Sequence, residues 1–245
     1  MLKEMTTPTM ALLTLDQVTK RFGGLVAVDA VSIAIQEHDI LGIIGPNGSG
    51  KTTLMNCVSG IYRPERGNIV FRHRRLNTLK PHQIARLGIA RTFQITRVFR
   101  QLTVLQNMLT PVLHLGQPDA TLRETARRLL AFVDLLEMQD NLGMELSGGQ
   151  QKLLEFARAL MADPQIILMD EPFAGVHPLL KEKLIARIVE LHEQGKTFVI
   201  ISHDMASTFK LCNRIVVLSS GAKLVEGRPE DIQQDPQVIA LYLGI

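Results

Sequence analysis

Gly45-Pro46-Asn47-Gly48-Ser49-Gly50-Lys51-Thr52 fits G-x-x-x-x-G-K-[ST] at every fixed position. Such glycines let successive backbone N–H groups turn inward and cradle the phosphates of a nucleotide. Lys51 can then reach the β- and γ-phosphates, and Thr52 can offer its hydroxyl to Mg²⁺. The phosphate-binding set runs from Gly45 through Thr53. Alone it specifies a chain that binds ATP or GTP. A second run, Ile166-Ile167-Leu168-Met169-Asp170-Glu171, places two carboxylates after four apolar residues. If those four form a buried strand, the acids lie at its carboxyl end, the edge where parallel sheets bind ligands. Asp170 would hold Mg²⁺, since hard cations take oxygen ligands. Glu171 would face the attacking water. Adjacent side chains on a strand point opposite ways, which predicts two separate roles.

The elements that must position these groups are legible from the pattern. Asp39–Ile44 predicts a buried strand feeding the glycine loop, with a helix from about Gly50 to a C-terminal glycine at Gly60. The amides and dipole at that helix's N-terminus favour anions. Ala11–Ser32 alternates around Gly23-Gly24, as antiparallel strands do. Pro64–Gly67 reads as a turn and Asn68–Arg72 as a short strand. Residues 95–144 lack strand patterns. There Thr121-x-x-Glu124 predicts a capping box ahead of an apolar-periodic helix with Leu129, Leu130, Phe132 and Leu136. Ser147-x-x-Gln150 predicts a second box, opening a helix that Asp163-Pro164 stops. Gln165–Met169 and Thr197–Ser202 read as buried strands, with a helix from Pro178 to Gln194 between them. Ile215–Val225 predicts a hairpin, and Pro229–Leu243 a helix broken near Pro236.

The 46% hydrophobic, 245-residue chain suits one large α/β domain. Its net charge of +3 and its lack of Trp do not point to nucleic acid. Cys57 and Cys212 are far apart in sequence, which predicts buried thiols and a reducing, cytosolic setting. No apolar run reaches the ~18–20 residues of a membrane span, and Met1–Thr9 lacks the apolar stretch of a signal peptide.

Leu146-Ser147-Gly148-Gly149-Gln150 together with the glycine loop resembles the nucleotide-binding domain of ABC ATPases, over essentially the whole chain. The resemblance implies a P-loop α/β core with an N-terminal antiparallel β subdomain, over 11–94 and 163–245. A helical subdomain would be inserted at 95–162, all within one domain spanning 1–245. It implies ATP and Mg²⁺ as ligands, with Gln94 touching the metal and the water region. Phe22 would stack on adenine, without the hydroxyl of the tyrosine common there. His203, in Ile201-Ser202-His203-Asp204, would contact the γ-phosphate and position Glu171. Ser147, Gly148, Gly149 and Gln150 would act in trans, on nucleotide bound by a second ATPase subunit, in a homodimer or a heterodimer. His177 stands where the family usually has Asp.

Gly88-Ile89-Ala90-Arg91-Thr92-Phe93-Gln94 and Leu102–Asn107 are similar to ATPase subunits of branched-chain amino-acid importers, as is the C-terminal stretch from Gly221 to Gly244. That branch implies membrane permease partners, an extracytoplasmic solute-binding protein acting indirectly, and a place on the cytoplasmic face of the cell membrane. A soluble ATPase of iron–sulfur assembly, or an export-type subunit, is the alternative. The stretch between Gln94 and Leu146 is too short for the long coiled coil of DNA-repair relatives. Replacing Lys51 by Ala should weaken ATP binding; an unchanged affinity in a nucleotide titration would refute the P-loop reading.

Overall fold

The computed structural model describes residues 11–243, so the Met1–Thr9 expectation lies outside the described residues. In chain order the elements are β1 (Leu13–Phe22), β2 (Leu25–Ile35), β3 (Ile40–Ile44), α1 (Lys51–Val58), β4 (Arg66–Phe71), β5 (Arg74–Arg75), α2 (Pro81–Ala85) and β6 (Ile89–Arg91). Next come α3 (Val104–Leu109), α4 (Asp119–Phe132), α5 (Gly148–Leu160), β7 (Ile166–Asp170), α6 (Pro178–Glu193) and β8 (Thr197–Ile201). The chain closes with α7 (Met205–Leu211), β9 (Arg214–Ser219), β10 (Ala222–Gly227), α8 (Pro229–Gln234) and α9 (Pro236–Leu243).

Two sheets organise the molecule. A six-stranded sheet has the order β10-β9-β3-β8-β7-β6, and its pairings are parallel except for β10 on β9. A four-stranded antiparallel sheet has the order β2-β1-β4-β5. The inner strands β3, β7 and β8 are apolar but for Asp170 and Thr197, and buried at every residue, as expected for strands covered on both faces. Alternation then sends their side chains into two cores. Ile167, Met169, Phe198 and Ile200 join Leu130, Phe156 and Ile188 on the face covered by α3 to α6. Ile166, Leu168, Val199 and Ile201 join Leu54, Ile69 and Phe71 on the face covered by α1 and the antiparallel sheet. Cys57 and Cys212 are buried free thiols, and burial pushes each up to about 12.

Several local expectations change. Helix α4 begins at Asp119, so Thr121 lies inside its first turn and caps nothing. Pro118, with φ −55°, already supplies the turn geometry, and Asp119 pairs with Arg123 at 2.5 Å. The box in this region sits instead at Thr103, whose hydroxyl accepts the Gln106 N–H at 3.1 Å while Gln106 Oε1 accepts the Thr103 N–H at 2.8 Å. Strand β4 starts within the expected Pro64–Gly67 turn. Gly67, at φ +82°, lies where the β1–β4 register shifts, and a Cβ there would meet Gln17 O at 2.3 Å. The strand ends at Phe71 because Arg72 turns to φ +52°.

Among the described residues, no helix is long and apolar enough to cross a membrane. Leu130 is fully buried where α4 meets its neighbours. Leu130→Ala should cost about 2–5 kcal/mol of unfolding free energy. Chemical denaturation measures this; a loss below ~1 kcal/mol would contradict the packing described.

Candidate active site

The loop between β3 and α1 is shaped by what surrounds it. Gly45 adopts φ +148°, and a Cβ there would meet Leu218 O at 2.1 Å. Gly50, at φ +98°, lies against Ala27 O, with the same virtual atom at 2.3 Å. The loop therefore threads between β9 and β2, and only glycine fits these two points. The Gly221 N–H, in the β9–β10 turn, donates to Ser49 O at 3.2 Å and braces it further. Pro46, Asn47 and Gly48 form the outer part of the loop, Asn47 and Gly48 being exposed; Thr53 follows Thr52 on the first turn of α1.

Lys51, at the first position of α1, is buried. Its ammonium donates to Gly45 O at 2.8 Å, Pro46 O at 2.9 Å and Ser49 Oγ at 3.3 Å. Burial pushes the ammonium below the ordinary lysine range, opposed by the nearby charges of Glu171 and Asp170. Three donors aimed at one loop suit an anion held there.

Thr52 Oγ1 donates to Asp170 Oδ1 at 3.4 Å. A hydroxyl and a carboxylate thus meet at the loop, and these are the hard oxygens that Mg²⁺ takes. The described residues hold no group of three or more His, Cys, Asp and Glu that could bind a metal. The pair therefore suits an ion that draws its other ligands from phosphate and water. The second oxygen of Asp170 faces Arg91 of β6, with Oδ2 3.3 Å from Nη2. Arg91 Nη1 donates to Asn56 Oδ1 at 2.7 Å and Ser59 Oγ at 2.6 Å, tying β6 to the far end of α1. Burial pushes the Asp170 carboxyl up, against the charge of Arg91 and the Thr52 bond. Burial likewise pushes the Arg91 guanidinium down, against the Asp170 charge. Desolvation is the larger influence on both partners, as is common for a buried pair. Arg91 belongs to the stretch quoted above around Gln94, but its reach to Asp170 needs the pairing of β6 with β7.

Glu171 departs from the strand geometry expected for it. Strand β7 stops at Asp170, and Glu171 takes φ +52°, a left-handed conformation costing a non-glycine residue roughly 1–3 kcal/mol. The two acids are separated by this backbone turn, not by strand alternation. The Glu171 N–H donates to Ile201 O at 2.8 Å. Its Oε2 lies 2.7 Å from His203 Nδ1 and accepts the His203 backbone N–H at 3.2 Å. The imidazole is exposed and the carboxylate buried, so His203 reaches in from the rim.

The remaining candidates are placed apart. Gln94 lies exposed on the loop after β6, and no hydrogen bond joins it to Asp170, Thr52 or Glu171. Phe22 closes β1 and is 42% exposed as a residue, its ring edge-on to Tyr62 at 5.1 Å and beneath Lys20 Nζ at 5.1 Å. Ser147 caps α5, and its box with Gln150 is closed by bonds of 3.3 Å and 2.9 Å. At Gly148 a Cβ would find open space, whereas at Gly149 it would meet Leu180 Cδ1 at 2.6 Å. The first glycine leaves the helix end bare; the second admits a neighbour of the same chain. His177 caps α6 through Nδ1, which accepts the Leu179 N–H at 3.4 Å.

Residues 28–174 match the family profile described as ABC transporter. This chain belongs to the ABC transporter ATP-binding family. Its ABC-type cassette carries a second match, over 222–245, to the profile described as branched-chain amino acid ATP-binding cassette transporter. The chain is 40% identical to a probable branched-chain amino acid transport ATP-binding protein, LivG, of Archaeoglobus fulgidus, with 96% of each covered. A crystal structure of a nucleotide-free ATP-binding cassette from an ABC transporter superposes with a TM-score of 0.88 at 34% identity, covering 96% of this chain and all of that one. A dimeric cassette in a post-hydrolysis state, bound to ADP and Pi, gives a TM-score of 0.80 at 28% identity, covering 89% and 98%. The P-loop core, the antiparallel sheet and the helical elements read from the sequence are the fold of these cassettes.

Arg91→Met should destabilise the cassette by about 3–5 kcal/mol, because it leaves Asp170 buried without its cation. A denaturant midpoint within error of the parent would show that the pair carries no such load.

Proposed function

We propose that this cassette is the ATP-hydrolysing subunit of an importer that takes up branched-chain amino acids or related small polar solutes. The observation that carries the chemistry is the Glu171 carboxylate, which is buried, held by His203 and adjacent to the Asp170–Thr52 pair. The glycine loop would bind the triphosphate, with Lys51 exchanging the carbonyls of Gly45 and Pro46 for phosphate oxygens. Phe22 would stack its open ring area on adenine. Thr52 and Asp170 would hold Mg²⁺, with Gln94 joining them when its loop swings inward. When bound, that ion neutralises charge on the transferring phosphoryl group. Glu171 would accept a proton from, or orient, the attacking water, and His203 would fix the carboxylate for that task.

Two copies, or this chain and a second ATPase subunit, would close on nucleotide. The bare N-terminus of α5 at Ser147 and Gly148 would then offer amides to the partner's γ-phosphate. The dimeric relative bound to ADP and Pi supports the pairing of two cassettes. The helical region 95–162 would act as a subdomain beside the core 11–94 and 163–245. Between them lies a groove of about 730 Å³, lined by Ile84, Leu87, Phe93, Pro111, Leu115 and Ala159. Exposed Ile95, Phe99 and Leu113 add apolar surface on the Gln94 loop and after α3. We assign this groove to a cytoplasmic segment of the permease subunits. The cassette would thus sit peripherally on the inner face of the membrane, and an extracytoplasmic binding protein would choose the solute. The match of residues 222–245 and the LivG relative support the amino-acid branch.

Glu171→Gln should lower turnover by about 10²–10⁴-fold while ATP still binds. In a detergent pull-down with ATP and Mg²⁺ from its host, the same variant should recover integral membrane proteins. Normal turnover would overturn the role of Glu171; recovery of soluble partners alone would overturn the transport role.

A further inference from the structure

Lys152 lies one turn inside α5, the helix that opens at Ser147. Its side chain leaves that helix and ends on another segment. The ammonium donates to Glu171 O at 3.0 Å and to Ala174 O at 2.5 Å. Burial pushes this ammonium below the ordinary lysine range, opposed by the charges of Glu155 and Glu171. Lys152 is half-buried, and both of its bonds go to backbone carbonyls of the turn that follows β7.

That turn fixes Glu171 in an unfavourable conformation. At φ +52° its peptide groups need partners that hold them. The N–H has Ile201 O, and the C=O has the Ala174 N–H at 3.3 Å and the Lys152 ammonium. The Ala174 N–H bond is the longer and closes only a local turn; Lys152 adds a charged donor anchored on a separate element. A second contact joins the same two elements, with Leu180 of α6 seated over Gly149 at the start of α5. The first two turns of α5 are therefore fastened to the 171–180 segment by two charge-assisted hydrogen bonds and by close packing.

We propose that Lys152 is a positioning residue for hydrolysis. It holds the Glu171 backbone so that the carboxylate meets His203 and the reacting water. Because its own backbone rides on α5, a movement of the Ser147 end of that helix is carried to Glu171 of the same chain. In a dimer, the helix end that touches one nucleotide would thereby adjust the carboxylate serving the other. This rests on the assignment of Glu171 made above.

The test uses the full chain with Lys152→Met, Lys152→Arg and Glu171→Gln, and the double variant Lys152→Met/Glu171→Gln. Turnover, KM for ATP, affinity for a fluorescent ATP analogue and melting temperature are measured for each. Lys152→Met should lower kcat at least tenfold, with nucleotide affinity and KM within about twofold, and Lys152→Arg should restore much of the rate. In the Glu171→Gln background Lys152→Met should cost little more, because Lys152 acts through the missing carboxylate. An equal loss in both backgrounds, or a parent-like kcat for Lys152→Met beside an inactive Glu171→Gln, would overturn the proposal. Normal turnover by Glu171→Gln would instead remove the Glu171 assignment itself, and this inference with it. If Lys152→Met fails to fold, Lys152→Leu, which likewise removes the donor, takes its place with the same outcomes.

Discussion

Two acidic side chains are buried side by side at the end of one strand, and much of the molecule serves to hold them. Asp170 and Glu171 repel each other, and burial penalises the charge of Asp170. The structure answers with cations brought from three directions. Lys51 arrives on the helix after the glycine loop, Arg91 on the neighbouring strand β6, and Lys152 on α5. None forms a tight, closed ion pair with either acid. Lys51 bonds carbonyls, Arg91 lies 3.3 Å from one oxygen of Asp170, and Lys152 bonds the Glu171 backbone. The field is offset while Thr52 and His203 supply the other direct contacts to the two carboxylates. This arrangement suits an ATPase better than a fully neutralised core would.

The parallel sheet makes that convergence achievable. Strands β3, β7 and β8 run side by side, so the loop at Gly45, the acids at 170–171 and His203 all emerge at one edge. Each strand is buried on both faces, and its alternate residues feed two separate cores. One core secures α1 and the antiparallel sheet, and so the Lys51 and Phe22 side of the site. The other secures α3 to α6, and so the helix that starts at Ser147. A shift of any of these strands would disturb both cores at once. The Gln94 loop, by contrast, crosses from sheet to helices exposed. It is clasped by Glu155, which accepts the Arg97 N–H at 3.3 Å, and by Arg158, which donates to the Arg97 carbonyl.

The relatives agree with this division. The family profile covers 28–174, from β2 through the glycine loop, the Ser147 helix and the paired acids. The branch-specific profile covers only 222–245, the final strand and helices. The two profile matches therefore do not overlap, although the 88–107 stretch inside the first also resembles the branch.

Much of the site was legible in the chain itself because local chemistry dictates it. A glycine loop between an apolar strand and a helix, paired acids after four apolar residues, and Ser147 spaced from Gln150 are short-range patterns. Short-range sterics and hydrogen bonding are enough to shape them. The turn at Gly23-Gly24, the helix break at Pro236 and the closing hairpin followed for the same reason. Long-range contacts decided the rest. Arg91 was visible only as a neighbour of Gln94 until β6 paired with β7 and placed it on Asp170. Lys152 was one more lysine on a helix until α5 packed against the turn after β7. Glu171 read as the next residue of a strand, yet Ile201, Ala174 and Lys152 together hold it in a left-handed turn. Thr121 read as a cap, yet Pro118 had already started the helix. The sequence by itself determined which groups could bind phosphate and metal, since identity and spacing set that chemistry. The tertiary structure alone decided how the two acids are turned, neutralised and tied to α5. Those outcomes depend on which distant elements meet, and no local pattern encodes such a meeting.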